Sequence, residues 1–116
     1  MSTEPARVSD MTATVKSREI QRALLAEMAG DRTAAMRHFL AAAHLELVLA
    51  NDYAVAGLDD LAIRSHFSAA SCFWRAGQIA QAQAVFDGLL QAHPDQAAEI
   101  QRVRADLLQH CAVQAS

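Results

Sequence analysis

The amino-acid sequence predicts an all-α protein of about five antiparallel helices, and three observations carry that expectation. The chain is 53% hydrophobic yet only 5% aromatic, and alanine supplies much of the difference. Alanine has the highest helix propensity because it loses no side-chain entropy on ordering. Apolar residues recur three and four positions apart, the spacing of a helix face, and the alternation of a strand appears nowhere. Gly and Pro are rare, four and two, and Val, Ile and Thr are sparse, which argues against a sheet.

Residues 1–12 are mixed and polar with a proline, and are expected to form a flexible N-terminal tail; residues 13–116 then make a single domain. From about Thr14 to Ala29, Ile20, Ala23, Leu24 and Met28 recur at helical spacing. Gly30 closes that helix, since glycine accepts the left-handed conformation at little cost. Asp31 is placed to cap a second helix through Ala35, Met36, Phe39, Leu40 and Ala43 to about Leu49. Asn51–Leu58, with Asn51, Asp52 and Gly57, reads as a connector. Asp59 can cap a third helix through Ile63, Phe67, Ala70 and Trp74, ending at Gly77. A fourth runs from about Ile79 to Ala92. His93-Pro94-Asp95 interrupts the chain, because proline denies its predecessor the helical region. The fifth helix carries Ile100, Val103, Leu107 and Cys111 on one stripe.

Length and charge exclude several classes. A chain of 116 residues holds one modest core. The net charge is −3, with seven acids and four bases after residue 50, against six of each before it. No strong basic surface is present, so no nucleic-acid partner is expected; Lys16, Arg18 and Arg22 read as a solvated helix face. The first twenty residues hold no apolar leader, and the most apolar run, Phe39 to Ala50, is too short and too polar to cross a bilayer. No membrane partner is expected. Cys72 and Cys111 form no CxxC pair and read as reduced thiols, which implies a cytoplasmic protein.

Two hairpins echo each other. Gly30 and Gly77, Ala35 and Ala82, and Phe39 and Phe86 are each 47 residues apart. Recurrence of a helix–turn–helix unit marks a helical repeat. In the second unit His66-x2-Ala69-Ala70-x2-Phe73, then Ala82-x3-Phe86, then Pro94, keep the spacings W-x2-LG-x2-Y…A-x3-F…P, with Gly77 in the turn. This hairpin resembles a tetratricopeptide repeat. His66 stands where that family favours Trp. In the first unit Glu19 and Arg22 stand at apolar positions, and Leu47 replaces the proline. The interval of 47 exceeds the family's roughly 34 residues. The resemblance implies two stacked hairpins and a C-terminal capping helix, with Arg104, where a small residue would receive a further helix, facing water.

It also implies a peptide-binding groove along the first helix of each hairpin. Mapped onto this chain, that groove carries Ile20, Leu24 and Glu27, then Arg64, Phe67, Ser71, Trp74 and Arg75. Trp74 would be an aromatic anchor, and the two arginines forks for carboxylates or carbonyls. The carboxylate clamp of chaperone-binding members is absent, since Phe67 and Ser71 occupy two of its places. The expected function is therefore a non-catalytic module that binds a protein or peptide partner. The alternative is a self-associating subunit, a homodimer through helix two, which is apolar nearly all round at Leu45, Leu47, Val48 and Leu49. A small-ligand protein or enzyme ranks below both. His38, His44, His66, His93 and His110 show no metal-ligand spacing. His110 and Cys111 are adjacent and so point in different directions on a helix, no Cys–His pair with an activating third group is in view, and no cofactor is expected.

Overall fold

In a computed structural model the described residues, 4–115, with side chains from Asp10 to Gln109, form an all-α fold without strands. The helices are α1 (Glu4–Met28), α2 (Arg32–Val55), α3 (Asp59–Arg75), α4 (Ile79–Ala92) and α5 (Ala97–Ala115), with a 3₁₀ turn at Pro94–Gln96 before α5. Each helix packs on its chain neighbours, most extensively α2 on α1 and α3. The body is an elongated slab of 49 × 32 × 16 Å. No described helix is long and apolar enough to cross a membrane.

Three turns joining the first four helices are built alike. In each, Ala-Gly follows the last helical turn, and Gly30, Gly57 and Gly77 take φ values of 77°, 78° and 79°. The glycine N–H donates to Glu27, Ala54 or Trp74 at 2.9–3.0 Å, and the next N–H donates to Ala26, Tyr53 or Phe73 at 2.8 Å. This pair of bonds satisfies the last free carbonyls of a helix and needs a left-handed residue, which explains the glycine. Five residues past each glycine lies a buried alanine: Ala35, Ala62 and Ala82 are 3%, 5% and 0% exposed. Nine residues past it lies a ring, from Phe39, His66 and Phe86. The unit at Gly57 escapes a search at constant interval, because it falls 27 residues after one glycine and 20 before the next.

Several boundaries differ from those the sequence suggests. α1 begins at Glu4, so most of the stretch expected as a tail is helical. Pro5 sits in the first turn, where a missing N–H leaves nothing unpaired, and no breaker follows before Gly30. The connector shrinks to residues 56–58: Asn51 and Asp52, though weak helix formers, stay within α2, and the chain leaves helical conformation at Gly57 and Leu58. Asp31 caps α2 as expected, accepting from Ala34 N at 3.1 Å. α3 is entered through Leu58 without a side-chain cap, and Asp59 stands inside its first turn.

The core follows from the alanines. Ala23, Ala42, Ala43, Ala69 and Ala82 are all 0% exposed, beside Phe39, Cys72 and Phe73. Small side chains let helix axes approach toward the lower end of the usual 8–10 Å range, and the two phenylalanines fill what remains. A second cluster of Ile63, Ala70, Phe86, Leu89 and Ile100 joins α3, α4 and α5. Phe67, Val103 and Leu107 pack against it; Cys111 and His110 lie outside the described side chains. Arg104 does not face water as expected. Its guanidinium reaches α4, donating to Asp87 Oδ1 at 3.1 Å and Gln83 Oε1 at 3.4 Å, since a long stem can carry its charge to the edge of a contact.

The glycines divide into two kinds, and substitution separates them. Gly30→Ala and Gly57→Ala meet open space but retain a positive φ, so each is expected to cost about 1 kcal/mol. Gly77→Ala adds a contact at 2.8 Å with Met36 Cε and should cost at least as much. Gly88 is helical with nothing within 4 Å, so Gly88→Ala should stabilise by roughly 0.5–1 kcal/mol. Urea unfolding of the four variants checks the order.

Candidate functional cleft

The residues mapped to a groove on α1 and α3 are mostly engaged with the protein itself. Ile20 and Trp74 are half-buried against the first core cluster. Arg75 Nη2 binds Glu27 Oε1 at 2.9 Å, and its guanidinium lies 4.2 Å from the centre of the Phe39 ring. These contacts tie the ends of α1, α2 and α3 together. Phe67 stacks obliquely on Phe86, ring centres 6.4 Å apart. Ser71 is half-buried, while Leu24 and Arg64 are exposed. The structure thus draws Glu27, Trp74 and Arg75 into holding the helices and leaves Leu24 and Arg64 free on the surface.

An open cleft of about 490 Å³ lies elsewhere, between α2 and α4 over α3. His44 and Leu47 form the α2 wall, His66 and Phe73 the floor, and Gln81, Ala84, Val85, Gly88, Leu89 and Ala92 the α4 wall, with His93 at the end. The cleft exists because α2 and α4 do not close along their length. Met36 of α2 reaches the α3–α4 turn at Gly77, and beyond it the α4 wall carries one small residue per turn, Ala84, Gly88 and Ala92, beside Gln81, Val85 and Leu89. No lining residue carries a fixed charge. None of the groove residues expected from the sequence lines it; His66 and Phe73, from the repeat-like motif of the second hairpin, do. Gly88, mid-helix without a turn to make, is the signal in the sequence that could have marked this wall.

The imidazoles are held differently. His66 Nδ1 donates to the Ala62 carbonyl at 2.9 Å, which leaves Nε2 as an acceptor. Burial, reinforced by nearby His93, lowers the His66 pKa against the raising effect of that bond, so the ring is neutral at pH 7. His44 meets the edge of Phe73 with ring centres 5.3 Å apart. His38 stands apart from the cleft, its Nδ1 donating to Glu19 Oε2 at 2.7 Å. That bond, more than the opposing burial or the pull of Arg22, lowers the Glu19 pKa. Glu19 therefore adds stability above the ordinary carboxylate range, lost as pH falls through its lowered value.

A second polar group is enclosed among α1, α2 and α3. Glu46 is 3% exposed and lies 3.7 Å from Lys16 Nζ, with a hydrogen bond from Ser68. Burial outweighs both partners and raises the Glu46 pKa. The Cys72 thiol beside it is pushed up to about 11, chiefly by burial and then by Glu46. It is protonated at neutral pH and is no nucleophile. Comparison with protein-family models, curated proteins and solved structures returned no match.

Glu46 yields a signed prediction. A carboxyl with a raised folded pKa contributes stability below its unfolded value and loses it as pH rises through the folded one. Lys16→Met removes the nearest positive charge and should cost about 2 kcal/mol at pH 7, less near pH 4. Glu46→Gln in that background should recover most of the loss. Urea midpoints of the single and double variants at both pH values provide the check.

Proposed function

We propose that this protein is a non-catalytic interaction module of tetratricopeptide-like build that seats a protein segment in the cleft between α2 and α4. The observation that carries the reading is the cleft itself, an uncharged and mostly apolar groove with a small residue at successive turns of one wall. Ala84, Gly88 and Ala92 leave room for the side chains of an incoming helix or strand. Leu47 and Val85, half-buried in the lining, give an apolar anchor somewhere to bury its surface. The imidazoles and Gln81 supply orienting hydrogen bonds without fixed charge. Such a module acts in the cytoplasm, where the Cys72 thiol stays reduced.

The tetratricopeptide-like reading rests on the repeated Gly, Ala and Phe positions and their matched roles in two hairpins. It moves the binding face from α1 and α3 to the opposite side, because Trp74 and Arg75 are spent on internal contacts. Self-association through α2 has less support. That helix is apolar all round because α1 flanks it on one side and α3 on the other, and its large exposed apolar residues are Val48 and Val55.

Gly88→Trp fills the cleft from a position with open space around it, and Arg64→Ala alters the opposite candidate face. With a photoreactive residue at Ala84, the wild-type protein should crosslink a discrete partner in its native lysate. The Gly88→Trp change should reduce that product by roughly tenfold or more, about 1.4 kcal/mol of binding, while the melting temperature holds. Arg64→Ala should leave it unchanged. An undiminished crosslink in Gly88→Trp, or loss only in Arg64→Ala, overturns the cleft as the binding face.

A further inference from the structure

We propose that the chain associates head to tail with a second copy, the outer stripe of α1 on one copy seating the α2–α3 turn of the next. The stripe is Met11, Val15, Arg18, Arg22 and Leu25, spaced alternately four and three apart so that all five fall on one line of the helix. α1 is the first helix of the row, and this line points away from its neighbours. Met11, Val15 and Leu25 are 69%, 44% and 64% exposed. Arg18 makes no hydrogen bond or ion pair among the described residues, and Arg22 reaches only Glu19 on its own helix. The stripe contains no acid.

At the α2–α3 turn the pattern recurs with opposite sign. Val55, Leu58 and Leu61 are 82%, 48% and 40% exposed, and between them stand Asp59 and Asp60, exposed and unpaired among the described residues. No base lies from Val55 to Leu61. Two acids in the first turn of α3 are accounted for by the helix dipole, but that does not explain three large apolar residues left bare around them. Each surface is thus an apolar flank, a pair of like charges and a second apolar flank, one cationic and one anionic.

The signs decide the occupant. Two α1 stripes facing each other would oppose Arg18 and Arg22 to the same residues, and two turns would oppose Asp59 and Asp60. Only unlike surfaces join, and used head to tail such a contact is heterologous and extends into rings or open chains. Exposed ion pairs contribute little each and are screened by salt, so the association is weak and ionic-strength dependent. It is separate from the cleft, and a copy seated this way leaves Gly88 free.

Sedimentation equilibrium of the full chain, from tens to hundreds of micromolar, tests it. In roughly 20 mM NaCl the weight-average mass should rise above 12.5 kDa with concentration, and roughly 500 mM NaCl should weaken association by about tenfold. The variants R18E/R22E and D59K/D60K should each remain at monomer mass, and mixing them should restore association, because each then meets an unlike surface. The milder R18Q/R22Q and D59N/D60N, with folding followed by circular dichroism, should each weaken association several-fold. A constant monomer mass in low salt overturns the proposal and leaves the stripe to some other partner. Association untouched by either neutral variant, or charge-reversed variants that fold but do not recover on mixing, also overturns it.

Discussion

Close approach of helices across alanine is the constraint from which the rest of this structure follows. At each of the first three turns the chain reverses within three residues, which forces the next helix back against the last at short range. A large side chain five residues past the glycine would hold the pair apart, and Ala35, Ala62 and Ala82 stand there instead. Close axes leave little volume between helices, so a few rings suffice to fill it. That is why a protein with so few aromatic residues can have a core with Phe39 and Phe86 fully enclosed. The same economy makes it sensitive, since interiors tolerate neither added volume nor voids.

The middle unit shows how this arrangement yields a surface as well as a core. Where the other two units bury a phenylalanine, it carries His66, an aromatic ring of smaller size with polar atoms. One nitrogen is satisfied by the Ala62 carbonyl within its own helix; the other needs water or a partner. A ring that must keep one edge wet cannot be sealed under α2 and α4, and here α2 and α4 stand apart. The cleft and the substitution of a histidine for a phenylalanine are two descriptions of one packing outcome. Glu46 is the opposite case. Its carboxylate is sealed between three helices although burial works against its charge, and Lys16 and Ser68 offset that cost only in part. Such a group adds little stability, but it penalises any sliding of α1 or α3 that would separate the three residues.

Much of the fold was legible because it is written in local chemistry. Gly30 and Gly77 marked turns that need a left-handed residue, Asp31 marked a cap, and Pro94 marked a break; each property belongs to one residue. The helix limits near Thr14 and Leu49 were misjudged for the converse reason. Ser, Thr, Asn and Asp lower helix propensity by only tenths of a kcal/mol each, too little to end a helix that no glycine or internal proline interrupts. Arg104 was misread because its position on the helix was inferred without its reach. The likeness of the turn at Gly57 to the other two was hidden by unequal helix lengths, which defeat a search for constant period while leaving the turn chemistry intact.

The candidate site was harder to read for a reason that applies to both its versions. Aromatic and arginine side chains are what a binding face needs, and they are also what a thin alanine core needs to finish its edges. Nothing in the residue types separates the two uses. Arg75 is drawn to the helix ends because Phe39 and Glu27, 36 and 48 positions away, lie within its reach, and Trp74 packs on the first core cluster. The α4 wall was overlooked because its distinguishing property is lack of substance: Ala84, Gly88 and Ala92 read as ordinary helix until α2 is known to stand clear of them. A cleft is a property of the gap between elements, and gaps are set by long-range geometry. What a sequence can supply is an anomaly in the right place, and a glycine in the middle of a helix, at a cost of about 1 kcal/mol against alanine, is such an anomaly. Retaining it where no turn requires it makes sense if the space above it is used.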